Sequence, residues 1–209
     1  HKKGVSVFEQ TRINGKKLEK EKATLFTDNG HVIEAKHVIF AAGYEGLEFK
    51  REKNAVITSS YAVITNPVED FTDWHKRTLI WETARPYIYM RTTQDNRIII
   101  GGLDENTTYP EDRDPKIFHK KDKLIEEFNK LFPRIQVQPE YYLGAFYGGT
   151  HDGLPMIGQY EEFPNCFFLF AYGDNGLVYS SVLTKMLRDL ITKGSHPAMG
   201  LYQKERVIH

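Results

Sequence analysis

Phe170-Ala171-Tyr172-Gly173-Asp174-Asn175-Gly176-Leu177 closes one apolar run and opens a helical one. Upstream, Phe167 to Tyr172 is continuously apolar, the pattern of a strand buried on both faces of a parallel sheet. Downstream, Leu177 to Thr192 keeps a helical period, about four turns at the standard pitch. Gly194 and Pro197 end that helix. A strand that runs through Gly-Asp-Asn-Gly straight into a helix sets backbone N–H groups and the positive helix end beside a glycine turn. Such a terminus stabilises negative charge. Taken alone, the segment is equally a strand-to-helix turn with no ligand.

Working outward, a second continuous apolar run, His37-Val38-Ile39-Phe40-Ala41-Ala42-Gly43, also ends in small residues. It too is expected to be a buried parallel strand, and its end admits close backbone approach. A third segment, Gly149-Thr150-His151-Asp152-Gly153-Leu154-Pro155-Met156-Ile157-Gly158, packs three glycines and a proline around Asp152 and reads as a tight turn. Before these lie Val5 to Phe8 and Ala23 to Phe26, both strand-like, and Asp28-Asn29-Gly30, a hairpin turn leading into His31 to Ala35. Alternating or apolar runs at 55–58, 61–64, 78–82, 87–93, 97–102 and 141–147, most joined by short links, predict an antiparallel sheet. Residues 115–132 switch to a helical period, with Pro115 at the opening and Pro133 at the stop. These runs define an α+β chain.

Composition narrows the function classes. The 209 residues carry 28 Lys plus Arg against 28 Asp plus Glu, so charge offers no reason to expect nucleic acid or an anionic membrane as partner. No apolar run reaches the length of a membrane span. The single cysteine, Cys166, excludes an intrachain disulfide framework and fits a cytoplasmic setting. Cys166 precedes an apolar strand and is expected to be a core thiol. No His, Cys and carboxylate cluster has metal-ligand spacing, and no Gly-x-Ser-x-Gly elbow occurs.

In combination, Val38 to Glu45, the Tyr87-Ile88-Tyr89-Met90-Arg91 strand, Arg97 to Gly102, Thr150-His151-Asp152-Gly153-Leu154-Pro155 and Gly173-Asp174-Asn175-Gly176 resemble the FAD-dependent D-amino-acid oxidase superfamily, which includes glycine oxidase and sarcosine oxidase. The resemblance implies a mainly antiparallel substrate-domain sheet with flanking helices, together with C-terminal segments of a Rossmann-like FAD-binding domain. It divides the chain into a partial FAD-binding domain over 1–50, a substrate domain over 51–145, and a return to the FAD-binding domain over 146–209. The family's Gly-x-Gly-x-x-Gly turn, which holds the FAD pyrophosphate, has no counterpart here. With His1 rather than Met at the start, the chain reads as a C-terminal fragment, inactive alone, whose partner is its own missing N-terminal half.

By the same resemblance, Gly43 lies toward the adenine or pyrophosphate side of a non-covalently held FAD. Asp152, Gly153 and Leu154 line the edge of the isoalloxazine ring. Gly173, Asn175 and Gly176 present backbone N–H groups to its pyrimidine end, where reduced flavin carries negative charge. Tyr89, Arg91 and Tyr147 are the candidate substrate and catalytic residues. Relatives that take amino acids place carboxylate-binding arginines at positions that here are Tyr147 and Asp174, which counts against a simple amino-acid substrate. Arg91 or Arg85 is the candidate replacement, against a plain reading as a solvent-facing sheet arginine. Ala145 occupies the place of the cysteine that holds flavin covalently in sarcosine oxidase-like members. His119 and His151 are left outside the catalytic set, because amine oxidation by flavin needs no dedicated base. The expected activity is oxidation of a C–N bond in an amine or amino acid to an imine, with hydrogen peroxide as by-product. Two alternatives stay open: a same-fold dehydrogenase using another acceptor, and a non-catalytic α+β ligand-binding module.

Overall fold

A computed structural model describes residues 3–170, Gly173 and residues 175–206. In chain order the strands are β1 (Ile13–Leu18), β2 (Ala23–Thr27), β3 (Val32–Ala35), β4 (Val38–Phe40), β5 (Ala55–Thr65), β6 (Ile80–Trp81), β7 (Ile88–Thr92), β8 (Ile98–Glu105), β9 (Pro139–Thr150), β10 (Met156–Tyr160) and β11 (Phe163–Phe170). The helices are α1 (Gly46–Phe49), α2 (Pro110–Arg113), α3 (Ile117–Leu131), α4 (Gly176–Lys193) and α5 (Met199–Tyr202). They form two compact units, His1–Ala55 with Gly149–His209, and Val56–Gly148. Among the described residues no helix is long and apolar enough to cross a membrane.

The discontinuous unit holds two three-stranded sheets, β1-β2-β3 and β10-β11-β4. The Asp28-Asn29-Gly30 turn joins β2 to β3, with the Gly30 N–H donating to the Thr27 carbonyl at 3.0 Å. In the second sheet, β11 runs parallel to β4, pairing Phe168 with Phe40, and antiparallel to β10, pairing Phe170 with Met156. One face of β11 packs Cys166, Phe168 and Phe170 with Met156 and Tyr160. The other packs Phe167 and Leu169 against Leu183, Met186 and Leu187 of α4. Burial on both faces is why this strand reads as an unbroken apolar run. Cys166 is a free core thiol, and burial pushes its pKa up.

The continuous unit contains the sheet β6-β7-β8-β5-β9. Its apolar face is covered by α3, whose Leu124 and Phe128 are fully buried among Met90, Ile98, Ile100 and Tyr61. Trp74 and Phe132 stack at the edge of this core, ring centroids 4.5 Å apart. Alternation along β7 then sends Tyr89 and Arg91 to the opposite face.

Three sequence expectations are corrected. Val5, Val7 and Phe8 are exposed and lie outside the strands, because so short an apolar run without a paired neighbour cannot hold an extended ladder. The strand in that region is the more polar β1, which β2 pairs in register from Leu18 to Gly15 before a shift at Ile13. Pro115 does not open the long helix. Pro110 opens α2, a 3-10 turn over Asp114–Lys116 absorbs Pro115, and α3 follows at Ile117, since proline lacks the N–H that a continuous α-ladder needs. Finally, β4 is parallel but not buried: Ile39 is 47% exposed, because β4 is the edge strand of its sheet in this chain.

Candidate functional site

The β10-β11-β4 sheet collects the three segments singled out in the sequence. Because β4 and β11 are parallel and in register at Phe40 and Phe168, Ala41-Ala42-Gly43 follow β4 at the end of the sheet where β11 finishes at Phe170. Because Met156 pairs with Phe170, the turn at 150–155 enters at that end as well. Tyr44 ties the first segment to the third, its hydroxyl donating to the Gly173 carbonyl at 3.0 Å. Ala171, Tyr172 and Asp174 lie outside the described residues.

Three glycines shape the rim. Gly43, Gly153 and Gly173 have φ of +60°, +75° and +59°, and a Cβ added at any of them would meet no atom within 4 Å. Their turns therefore demand glycine for backbone conformation and face open space rather than packed protein. Behind Gly173, α4 begins at Gly176. The Asn175 carbonyl accepts the N–H groups of Val178 and Tyr179 at 3.1 and 3.0 Å. The Gly176 and Leu177 N–H groups precede the intrahelical ladder and point out of the helix end. No acidic residue stands in the first turn of α4 to offset its positive end.

The 150–155 turn is rigidly built. Asp152 Oδ1 accepts the Leu154 N–H at 3.2 Å, a local turn of the Asx kind. Thr150 Oγ1 lies 2.8 Å from Asp152 Oδ1 and 2.7 Å from the Leu154 carbonyl, and its one proton serves either. The His151 N–H is held by Asn54, 3.1 Å from Oδ1. Arg206 closes the turn from outside, with Nε 2.6 Å from Asp152 Oδ2 and Nη2 2.8 Å from Oδ1. The Arg206 guanidinium holds the Asp152 carboxyl well below the usual carboxylate range; partial burial opposes this, and Thr150 and the Leu154 N–H reinforce it. The carboxylate is thus spent on its own turn, and the turn's backbone is what faces outward.

In the other unit, Tyr147 of β9 donates to Asp104 Oδ2 at 2.8 Å, so its hydroxyl is oriented by a carboxylate. Tyr89 lies flat across Gly101, where an added Cβ would stand 2.2 Å from the ring carbon Cζ. Arg91 shares the face of Tyr89 and is exposed. Arg85 stacks on the Tyr87 ring with its guanidinium carbon 4.6 Å from the centroid. Ala145 and His119 are exposed on β9 and α3. Sequence reasoning missed Tyr44, Asp104 and Arg206. Tyr44 adjoins Gly43 and could have been suspected. Arg206 stands 54 positions from its carboxylate and gives no local signal.

Open α/β sheets take their ligands outside the carboxyl ends of parallel strands, and this unit has glycine turns and a helix N-terminus at that place. The class so defined is a cofactor-binding α/β unit accompanied by an antiparallel-sheet unit. The family model described as FAD dependent oxidoreductase (DAO) matches residues 1–190, and the chain belongs to that family. Glycine oxidase from Geobacillus kaustophilus superposes with a TM-score of 0.74 at 20% identity, over 99% of this chain and 55% of that one. L-proline dehydrogenase from P. horikoshii gives 0.70 at 20% identity, over 97% and 55%. L-amino acid deaminase from Proteus vulgaris gives 0.70 at 16% identity, over 99% and 52%. At these identities the likeness shows the fold, and the chain spans about half the length of these structures. No curated protein matches the chain.

Proposed function

We propose that this chain is the part of an FAD-dependent oxidoreductase that frames the flavin ring and the substrate, in a protein that oxidises a C–N bond of an amine or amino acid. The observation that carries the reading is the convergence of three glycine-bearing segments at one end of the β10-β11-β4 sheet. The residues fit the cofactor on chemical grounds: an outward-facing helix end with no acidic residue in its first turn suits an electron-rich, partly anionic ring. When bound, FAD supplies the two-electron acceptor. Gly173, Asn175 and Gly176 would hold its anionic edge, Gly153 and Leu154 would border the ring, and Gly43 would admit the nucleotide side. Tyr147, oriented by Asp104, and Tyr89, seated on Gly101, would position the substrate, with Arg91 as the available cation. Non-covalent attachment is favoured by Ala145 at the position where relatives place cysteine.

The proposal extends to a partner, the polypeptide segment with the Gly-x-Gly-x-x-Gly strand and helix. Two features support it. Edge strand β4 offers an unpaired ladder. Beside it, a cavity of about 540 Å³ is lined by Ile13, Leu25, Val38, Phe40 and Phe49, residues a second βα layer would cover.

The test is a flavin titration with and without that segment. The 209-residue chain alone is expected to bind FAD weakly. Joined to the segment, it should hold FAD stoichiometrically and show bleaching of the oxidised-flavin band when an amine or amino acid is added anaerobically. Peroxide formed on readmitting air distinguishes an oxidase from a dehydrogenase. A joined protein that folds and takes up no flavin refutes the reading.

A further inference from the structure

Arg206 lies past residue 190, where the family match ends. It is nonetheless among the best-satisfied side chains of its unit, with only 4% of the side chain exposed. All three of its nitrogens are committed to the 152–155 turn and its surroundings. Nε and Nη2 form a two-pronged pair with the Asp152 carboxylate at 2.6 and 2.8 Å. Nη2 also donates to the Leu154 carbonyl at 2.6 Å, and Nη1 to the carbonyls of Pro155 at 3.2 Å and Gln203 at 3.4 Å. The fork geometry is specific to arginine; a lysine supplies one ammonium and cannot span a carboxylate and two turn carbonyls at once.

The consequence reaches the rim of the site. The turn from Thr150 to Met156 is fixed at both ends, where Asn54 holds the His151 N–H and where Met156 pairs with Phe170. Its tip, Gly153, packs against nothing within 4 Å of where a side chain would begin. The Gly153 N–H donates to the Thr150 carbonyl at 3.2 Å inside the turn, but the tip has no packing neighbour of its own outside the turn. Asp152, Leu154 and Pro155 give it one through Arg206. The arrangement excludes two other roles for Arg206: with every nitrogen engaged and its side chain buried, it is neither a substrate-carboxylate ligand nor a surface cation.

We propose that Arg206 is a positioning residue, which sets the backbone of the 152–155 turn against the flavin ring by clamping Asp152 and the Leu154 and Pro155 carbonyls. This rests on the flavin reading above. The test compares wild type, Arg206→Lys and Arg206→Met in the complete flavin-loaded protein. Two measurements are made: hydrogen exchange of the Gly153 and Leu154 amides, and the absorption spectrum and affinity of the bound flavin. The proposal expects both variants to fold, to speed exchange at those two amides at least tenfold, to shift the flavin band and to weaken flavin binding at least fivefold. Lysine should not rescue, whereas a role confined to packing the aliphatic stem would be rescued by either variant. Unchanged exchange in Arg206→Met overturns the clamp. Faster exchange with unaltered flavin spectrum and affinity overturns the positioning role and leaves the flavin reading intact. A wild-type protein devoid of flavin overturns the flavin reading and this role with it. If Arg206→Met fails to fold, Asp152→Asn, which keeps the shape and weakens the charged pair, must reproduce the spectral shift.

Discussion

Gly101→Ala is the most exacting test of the substrate-side geometry. In the folded chain an alanine Cβ at 101 would stand 2.2 Å from Tyr89 Cζ, 2.3 Å from its hydroxyl oxygen and 2.7 Å from Cε1. No carbon contact survives at such distances, so the Tyr89 ring must leave the surface of β8. Overpacking of this kind costs about 1–3 kcal/mol. Where the ring is absent, replacing a strand glycine by alanine should instead gain about 0.5–1 kcal/mol. The coupling between Gly101→Ala and Tyr89→Ala is then about 1.5–4 kcal/mol. Urea unfolding read by tryptophan fluorescence measures it cleanly, because both tryptophans, Trp74 and Trp81, belong to the Val56–Gly148 unit. Gly102→Ala is the internal control. Its Cβ would meet the Tyr87 carbonyl oxygen at 2.1 Å, and its φ is +127°. That clash is with backbone, so it should cost about 3 kcal/mol or more with or without the Tyr89 ring. A Gly101–Tyr89 coupling below about 0.5 kcal/mol, the noise of additivity, would refute the placement of Tyr89.

Three further outcomes are expected. Phe128→Ala should destabilise the same unit by about 3–5 kcal/mol in urea titration, since the ring is fully buried between α3 and the sheet. Burial raises the Glu105 carboxyl, but hydrogen bonds from Lys116 and Lys120 outweigh it and hold the pKa at about 2. The folded value lies below the unfolded one of about 4.3. Glu105 therefore stabilises the unit above that pH, and the contribution is lost as pH falls through about 2. In Lys120→Met, NMR titration should find the Glu105 pKa raised. In the complete flavoprotein, Tyr147→Phe should lower kcat/KM for the amine roughly tenfold, the loss of one hydrogen-bonding hydroxyl, without changing flavin affinity. An unchanged kcat/KM removes Tyr147 from the site.

The parts of the fold that rest on local physics were legible in the sequence. Both sides of β11 are buried from Cys166 onward, so Cys166–Phe170 is apolar without alternation, and the helix after it follows from period and from its glycine stop. The Asp28-Asn29-Gly30 turn declares its hairpin, because Gly30 takes the positive φ, +79°, that the turn needs. The family resemblance likewise rested on short, ordered motifs. What the sequence misread lay where a partner decides the outcome. Val5 to Phe8 looked like a strand and pairs with none of the strands described, whereas polar β1 is a strand because β2 lies beside it. Strand β4 looked buried, yet it is an edge in this chain.

The sequence by itself determined which residues have strand or helix character, which turns require glycine, and which family the chain resembles, because each depends on neighbours a few positions away. Only the tertiary structure decided that positions 43, 153 and 173 share one end of a sheet, that Tyr147 answers to Asp104, and that Asp152 is claimed by Arg206. Apart from the Met156–Phe170 pairing, those contacts join residues 43 to 129 positions apart, and nothing in local periodicity carries information across such a span.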